Sequence, residues 1–148
     1  MGNTVTLHRV VKAPPARVYK AFTDGPAMSK WISPRGFTCT VLSMDAKVGG
    51  SFRMSFTNFD NGQGNSFGGT FLEMKPHEKL RYSDKFDDPN LPGEMIVTVL
   101  IKENLCGCDL NITQENIPDI IPLEMCYLGW QDSLNQLMDL VETAPPSE

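Results

Sequence analysis

The chain has 148 residues and a formal net charge of −5, with 41% hydrophobic and 21% charged residues. This length and composition are typical of one globular domain that buries a core without disulfides or metal ions. The acidic balance, without any basic run, argues against a nucleic-acid partner, because phosphate binding needs a basic face. We expect a single domain over residues 1–143 and a mobile polar tail over residues 144–148.

The sequence shows no targeting or membrane-spanning segment. Residues 1–11 lack the apolar core of a secretory signal peptide, and no stretch approaches the roughly 20 apolar residues of a membrane span. The four cysteines do not form a disulfide-framework pattern. The sequence therefore predicts a cytoplasmic protein without a membrane span.

The N-terminal part predicts one strand and two short helices. A Val- and Thr-rich strand over residues 3–12 ends at a proline pair, and proline is tolerated in the first turn of a helix, here predicted over residues 16–23. An Asp-Gly-Pro sequence breaks that helix. A second helix is predicted over residues 27–33, where Trp31 lies on the apolar side.

From Phe37 onward, the hydrophobic pattern changes to strict alternation, which predicts a series of strands. The clearest strand places Phe52, Met54 and Phe56 on one face. Gly68-Gly69 predicts a bulge or a bend in the strand that follows. Because helices do not alternate with these strands, the pattern favours an antiparallel sheet.

A long amphipathic helix is predicted over residues 123–141. Its apolar residues recur at steps of three and four and fall in one stripe: Leu123, Tyr127, Trp130, Leu134, Leu137, Met138 and Val141. A stripe this broad needs an apolar partner, which the strands supply. The predicted fold class is α+β: a curved antiparallel sheet of about six or seven strands wrapped around a long C-terminal helix, with two short helices after the first strand.

Several motifs, in chain order, resemble those of one family. They are APPARVYKAFTD at 13–24, Trp31, Asp45 with Gly49-Gly50, GTFLEM at 69–74 with Pro76 and Leu80, and Gly129-Trp130 with Leu134 and Leu137. The chain thereby resembles the activator of the ninety-kilodalton heat-shock chaperone ATPase, a group within the START-like, or SRPBCC, superfamily. One departure is Tyr19, where the family usually has Trp.

This resemblance implies a helix-grip fold, in which the sheet grips the C-terminal helix and leaves a hollow between them. It implies fold more than activity, because one fold supports many functions. The resemblance also allows a co-chaperone-like role, and START-like relatives include cyclases and hydrolases that use the same hollow.

The residues predicted to face the hollow are mainly aromatic, aliphatic and Met side chains. Periodicity alone does not distinguish a pocket for an apolar small molecule from a filled core. Asp84, Tyr82 and Tyr127 are the polar groups that would orient a ligand. The candidate ligand-binding residues are Trp31, Phe52, Met54, Phe56, Tyr82, Asp84, Phe86, Met95, Val97, Val99, Cys108, Leu110, Leu123, Tyr127 and Trp130.

Asp84 is the most informative polar residue. Strand parity places it beside Tyr82 and Phe86, facing the helix. A carboxylate in apolar surroundings resists ionisation, which suits a general acid or a ligand anchor. Alternatively, a bulge turns this side chain outward, or a nearby donor satisfies it.

Metal and cofactor chemistry is not predicted. Cys106 and Cys108 lack the usual two-residue spacer of a zinc site, and parity predicts that both are small apolar residues on one face. No nucleophile elbow, phosphate loop or calcium loop is present in the sequence.

The leading hypothesis is a domain that binds an apolar or amphipathic small molecule, without a cofactor or a catalytic metal. A protein-interaction module is the alternative, and an enzyme that uses the same cavity is the third interpretation.

Overall fold

In the computed structural model, residues 3–142 are described, and they form one seven-stranded antiparallel sheet and three helices. In chain order the elements are β1 (Asn3–Val11), α1 (Pro15–Thr23), α2 (Gly25–Trp31), β2 (Phe37–Met44), β3 (Ser51–Asn58), β4 (Gly64–Lys75), β5 (Lys79–Phe86), β6 (Met95–Asn104), β7 (Gly107–Ile117) and α3 (Leu123–Glu142). The predicted tail, residues 144–148, lies outside the described residues.

The sheet has the strand order β1-β7-β6-β5-β4-β3-β2. Strands β2 to β6 each pair with the next strand along the chain, and β1 completes the order by pairing with β7. This meander follows from short hairpin connections, which favour antiparallel neighbours. The predicted α+β helix-grip fold, with two short helices after the first strand and one long C-terminal helix, is confirmed.

The two short helices follow each other without a loop. Pro15 lies in the first turn of α1. Backbone N–H groups in a first turn have no partner within the helix, so the missing N–H of proline costs no hydrogen bond there. Asp24 ends α1 and caps α2, because its Oδ2 accepts a hydrogen bond from the Ala27 backbone N–H at 3.0 Å. The predicted break between the two helices is therefore confined to Asp24, which forms the boundary of both.

The core is continuous from the helices to the sheet. Leu134, Leu137 and Val141 of α3 are buried, as their stripe predicts. Trp31 is fully buried, its Nε1 donates to the Ala21 carbonyl at 2.9 Å, and its ring meets Phe22 edge-on at 4.7 Å. No helix within the described residues is long and apolar enough to cross a membrane.

Gly68 and Gly69 mark a close backbone approach. Of the two alternatives predicted for this pair, the bulge is wrong and the bend stays a prediction. The β3–β4 register is continuous across both residues, and the shift in the β4–β5 register lies between Phe71 and Glu73. A Cβ on Gly69 would lie 1.8 Å from the Ser83 carbonyl oxygen. Only glycine fits there, because any side chain would displace the neighbouring strand.

The prediction that Cys106 shares a buried face with Cys108 is also wrong. Cys106 lies in the turn between β6 and β7 and is exposed, whereas Cys108 lies in β7 and is buried. Strand parity does not apply to Cys106, because the hairpin turn interrupts the extended backbone before β7 begins.

Candidate functional site

A cavity of about 280 Å³ lies between α3 and the sheet. Its volume is near the lower end of the range for small-molecule sites. Side chains from the segment after α2, from β3 to β7 and from α3 form its wall. These are Ile32, Pro34, Phe52, Met54, Phe56, Phe67, Tyr82, Asp84, Phe86, Met95, Gln114, Met125, Cys126, Gly129, Trp130 and Ser133.

Strand β3 supplies one side of the cavity through simple alternation. Phe52, Met54 and Phe56 all line it, as their shared parity predicts. Arg53 points to the opposite face, where its Nη1 donates to Asp87 Oδ1 at 2.9 Å. This ion pair lowers the pKa of Asp87. The register of β3 is therefore the predicted one, since a slip by one residue would place Arg53 under the helix.

Aromatic rings from three neighbouring strands fix the shape of the wall. Phe56 and Phe67 meet edge-on with ring centroids 4.8 Å apart. Phe52 and Tyr82 do the same at 5.6 Å. Edge-to-face contacts of this kind stabilise ring pairs beyond the area they bury. The cavity wall is thus built from rings that hold each other in place.

Most of the α3 residues that line the cavity lie outside the predicted stripe, and several of them are small. Cys126, Gly129 and Ser133 line the cavity beside Trp130. The prediction that Tyr127 faces the sheet is wrong, because its side chain lies on the exposed face with 37% of its surface accessible. The rest of the stripe keeps the predicted phase, because Leu134, Leu137 and Val141 are buried. Tyrosine tolerates this position because its hydroxyl remains in water.

Gly129 lines the cavity and faces open space. A Cβ built on this residue meets no atom within 4 Å. We expect Gly129→Ala to raise the free energy of unfolding by about 0.5–1 kcal/mol, because alanine favours the helix interior and no clash opposes it. Urea unfolding of the two proteins measures this difference. A loss of stability would show that the helix is packed against the sheet at this position.

Hydrogen bonds position the helix wall relative to the sheet. Trp130 Nε1 donates to Gln114 Oε1 at 2.9 Å, and Gln114 Nε2 approaches Met95 Sδ at 3.2 Å. Because the indole nitrogen is a donor only, this contact also fixes the orientation of the Gln114 amide. The three side chains join α3, β7 and β6 along one side of the cavity.

A second set of hydrogen bonds joins α3 to the chain after α2. Ser133 Oγ donates to the Ile32 carbonyl at 2.7 Å. Gln136 Nε2 donates to the carbonyls of Trp31 at 3.0 Å and Ser33 at 2.6 Å. These bonds hold the chain after α2 against α3, which brings Ile32 into the cavity wall.

Asp84 is the one ionisable carboxyl group in the wall. Its Oδ1 is buried and has no hydrogen-bond partner among residues 3–142. The residue as a whole is partly exposed because it borders the cavity. Burial raises the pKa of Asp84 to about 7, although a bond from the Lys85 backbone N–H acts in the opposite direction. A buried carboxyl of this kind changes its charge near neutral pH.

The other ionisable groups in the wall remain neutral. Burial raises the pKa of Tyr82, and the nearby charge of Asp84 raises it further. Burial also raises the pKa of the Cys126 thiol. Asp84 is therefore the group whose charge varies under physiological conditions.

The structure separates the predicted candidate residues into two groups. Phe52, Met54, Phe56, Tyr82, Asp84, Phe86, Met95 and Trp130 line the cavity. Trp31, Val97, Val99, Cys108 and Leu110 are buried in the core and do not line it, Leu123 packs against the core, and Tyr127 is exposed. The strand residues of the second group share a face with cavity-lining residues. That face extends beyond the cavity, and there its side chains pack against other apolar side chains.

Two sequence signals identify wall residues that the predicted set omits. Gln114 continues the alternation of Cys108, Leu110 and Ile112 along β7, so its parity already placed it on the inner face. Cys126, Gly129 and Ser133 are spaced by three and four residues, as expected for one helix face. Small or polar residues with this spacing carry little hydrophobic signal, which explains their omission.

No group of three or more potential metal ligands occurs among residues 3–142.

The comparisons with known proteins agree with this fold. Residues 12–142 match the family described as activator of Hsp90 ATPase homolog 1-like protein. The chain belongs to this family. The resemblance seen in its sequence motifs is confirmed, and the match covers every cavity-lining residue of this Hsp90 ATPase activator-like chain.

Solved structures of similar proteins extend the comparison. A Chromobacterium violaceum protein is 56% identical, with a TM-score of 0.95, and the match covers 96% of this chain and 99% of that one. A Rhodobacter sphaeroides protein is 19% identical with a TM-score of 0.83, covering 93% and 90% of the two chains. A Nitrosomonas europaea protein is 22% identical with a TM-score of 0.77, covering 94% of each. The Rhodobacter sphaeroides and Nitrosomonas europaea proteins share only the fold with this chain. No curated protein matches the chain.

Proposed function

We propose that this protein binds a compact apolar or amphipathic small molecule in the cavity between α3 and the sheet. The observation that carries the proposal is an apolar cavity of about 280 Å³ that contains a buried carboxyl oxygen without a partner among the described residues. Empty apolar volume forfeits packing energy, and an unpaired buried polar atom forfeits a hydrogen bond. A bound ligand would relieve both costs.

The polar groups in the wall suit orientation of a ligand more than catalysis. A catalytic site usually combines two or more converging ionisable groups. Asp84 is the ionisable carboxyl in this wall, and the ionisable groups beside it, Tyr82 and Cys126, have raised pKa values. A mainly apolar cavity with few polar groups is typical of a binding site. We also propose a cytoplasmic location, supported by four free cysteines, all within the described residues.

Binding of a neutral apolar probe tests this function. We expect naphthylmethanol to bind at micromolar level, about −8 kcal/mol. Binding should change the fluorescence of Trp130, which lines the cavity, more than that of the fully buried Trp31. The variants Trp31→Phe and Trp130→Phe each retain one of the two tryptophans and separate their signals. Equal responses from both variants would contradict binding at this site.

A variant that fills the cavity tests the location directly. We expect Gly129→Leu to fold cooperatively and to abolish probe binding, because the new side chain enters open space. Asn135→Leu is the matched control, since it adds a leucine at an exposed position of the same helix. Unchanged binding by Gly129→Leu would show that the probe binds elsewhere and would overturn the proposal.

A further inference from the structure

We propose that the ligand of this cavity is an amphipathic cation, with a compact aromatic or aliphatic body and one protonated amine that pairs with Asp84. This inference rests on the proposed binding function and specifies the class of ligand. The geometry behind it is a mainly apolar cavity with one acidic group and no basic group in its wall.

The unpartnered oxygen of Asp84 defines what the ligand must supply. Oδ1 is buried, borders the cavity and has no hydrogen-bond partner among residues 3–142. A carboxylate accepts hydrogen bonds and cannot donate them. A protonated amine supplies N–H donors together with a positive charge, and such charge-assisted bonds are roughly twice as strong as neutral ones.

The rest of the wall does not neutralise this acidic group. The 16 lining residues include no Lys, Arg or His. A ligand carboxylate, such as that of a fatty acid, would therefore meet the ionised form of Asp84 without a compensating cation and would be repelled by it. The net charge of −5 also favours the approach of a cation over that of an anion.

Aromatic rings in the wall favour the same class of ligand. Six lining residues are aromatic, and ring faces attract cations through their quadrupole. They are Phe52, Phe56, Phe67, Tyr82, Phe86 and Trp130.

The pairing also predicts how affinity changes with pH. Tyr82 on β5 and Cys126 on α3 are the other ionisable groups in the wall, and the raised pKa values of both keep them neutral. The amine pairs with the ionised form of Asp84, whose pKa is about 7. Affinity for an amine that remains protonated should therefore fall about tenfold between pH 8 and pH 6.

Three probes with one naphthyl body separate the ligand classes by calorimetry. At pH 8 we expect naphthylmethylamine to bind about tenfold more tightly than naphthylmethanol, and naphthoic acid to bind most weakly. In Asp84→Asn, which keeps the side-chain shape, the advantage of the amine should disappear while the alcohol still binds. Asp60→Asn removes the same charge from an exposed hairpin residue and should leave all three affinities unchanged.

The outcomes distinguish this inference from the proposed function. If the alcohol binds and the amine has no advantage, or if the advantage persists in Asp84→Asn, the cationic ligand is wrong and the binding function stands. If none of the three probes binds, the binding function and the ligand class fail together.

Discussion

Replacing Asp84 with asparagine is expected to remove a large pH dependence from the stability of this protein. Between pH 4 and pH 8, the free energy of unfolding of Asp84→Asn should rise relative to wild type by about 4 kcal/mol. The cause is the pKa of this buried carboxyl, which is raised from 3.8 to about 7. An asparagine amide in the same place adds an offset that does not vary with pH.

The sign follows from proton binding. The folded state holds the Asp84 proton more tightly than the unfolded chain, so protonation favours folding. This contribution is fully present below the unfolded pKa and is lost as the pH rises through about 7. Asp87 and Asp109 have lowered pKa values and act in the opposite direction in both proteins, so they cancel in the difference.

Urea unfolding of wild type and Asp84→Asn at several pH values measures this effect. Asp60→Asn is the control, because its carboxyl lies on the exposed β3–β4 hairpin. A stability difference that does not vary with pH would mean that Asp84 reaches water or a partner in the folded state. That result would also remove the main support for a cationic ligand.

The second large effect is expected at Trp31. We expect Trp31→Ala to lower the free energy of unfolding by about 3–5 kcal/mol, the range for large buried truncations. Trp31 is fully buried, donates a hydrogen bond to Ala21 and packs against Phe22. Its removal therefore leaves both a void and an unpaired carbonyl.

Trp130→Ala is the matched comparison, and a smaller loss is expected. One side of Trp130 already borders the cavity, so its removal costs fewer contacts. The loss should still exceed zero, because Gln114 Oε1 loses its donor. Denaturant unfolding of the two variants gives the difference, and equal losses would indicate that the cavity is filled by the surrounding chain.

The strands illustrate how much local pattern determines. Successive side chains of a strand alternate between its two faces. The sequence therefore predicts that Phe52, Met54 and Phe56 share the inner face, and they lie there. The same parity placed Asp84 beside Tyr82 under the helix. The ordered motifs that resemble the family added the helix-grip arrangement, which the strand order confirms.

The exposure of Tyr127 and the close backbone approach between Gly69 and Ser83 depended on tertiary contacts. Leu134, Leu137 and Val141 of α3 are buried as their stripe predicts, and the hydrogen bonds of Ser133 and Gln136 hold the chain after α2 against the helix, whereas Tyr127 of the same stripe is exposed. Strand parity likewise identifies which residues lie on the inner face. It does not identify which of them pack against other side chains and which border the cavity.

The sequence by itself determined the order of the elements, the inner faces of β3, β5, β6 and β7, and the acidic group on the inner face of β5. The tertiary structure decided that Val97 and Val99 are packed while Met95 and Asp84 border open volume. The physical reason is that hydrophobic periodicity reports which side chains leave water. Whether another side chain or a cavity meets them depends on how closely α3 approaches the sheet.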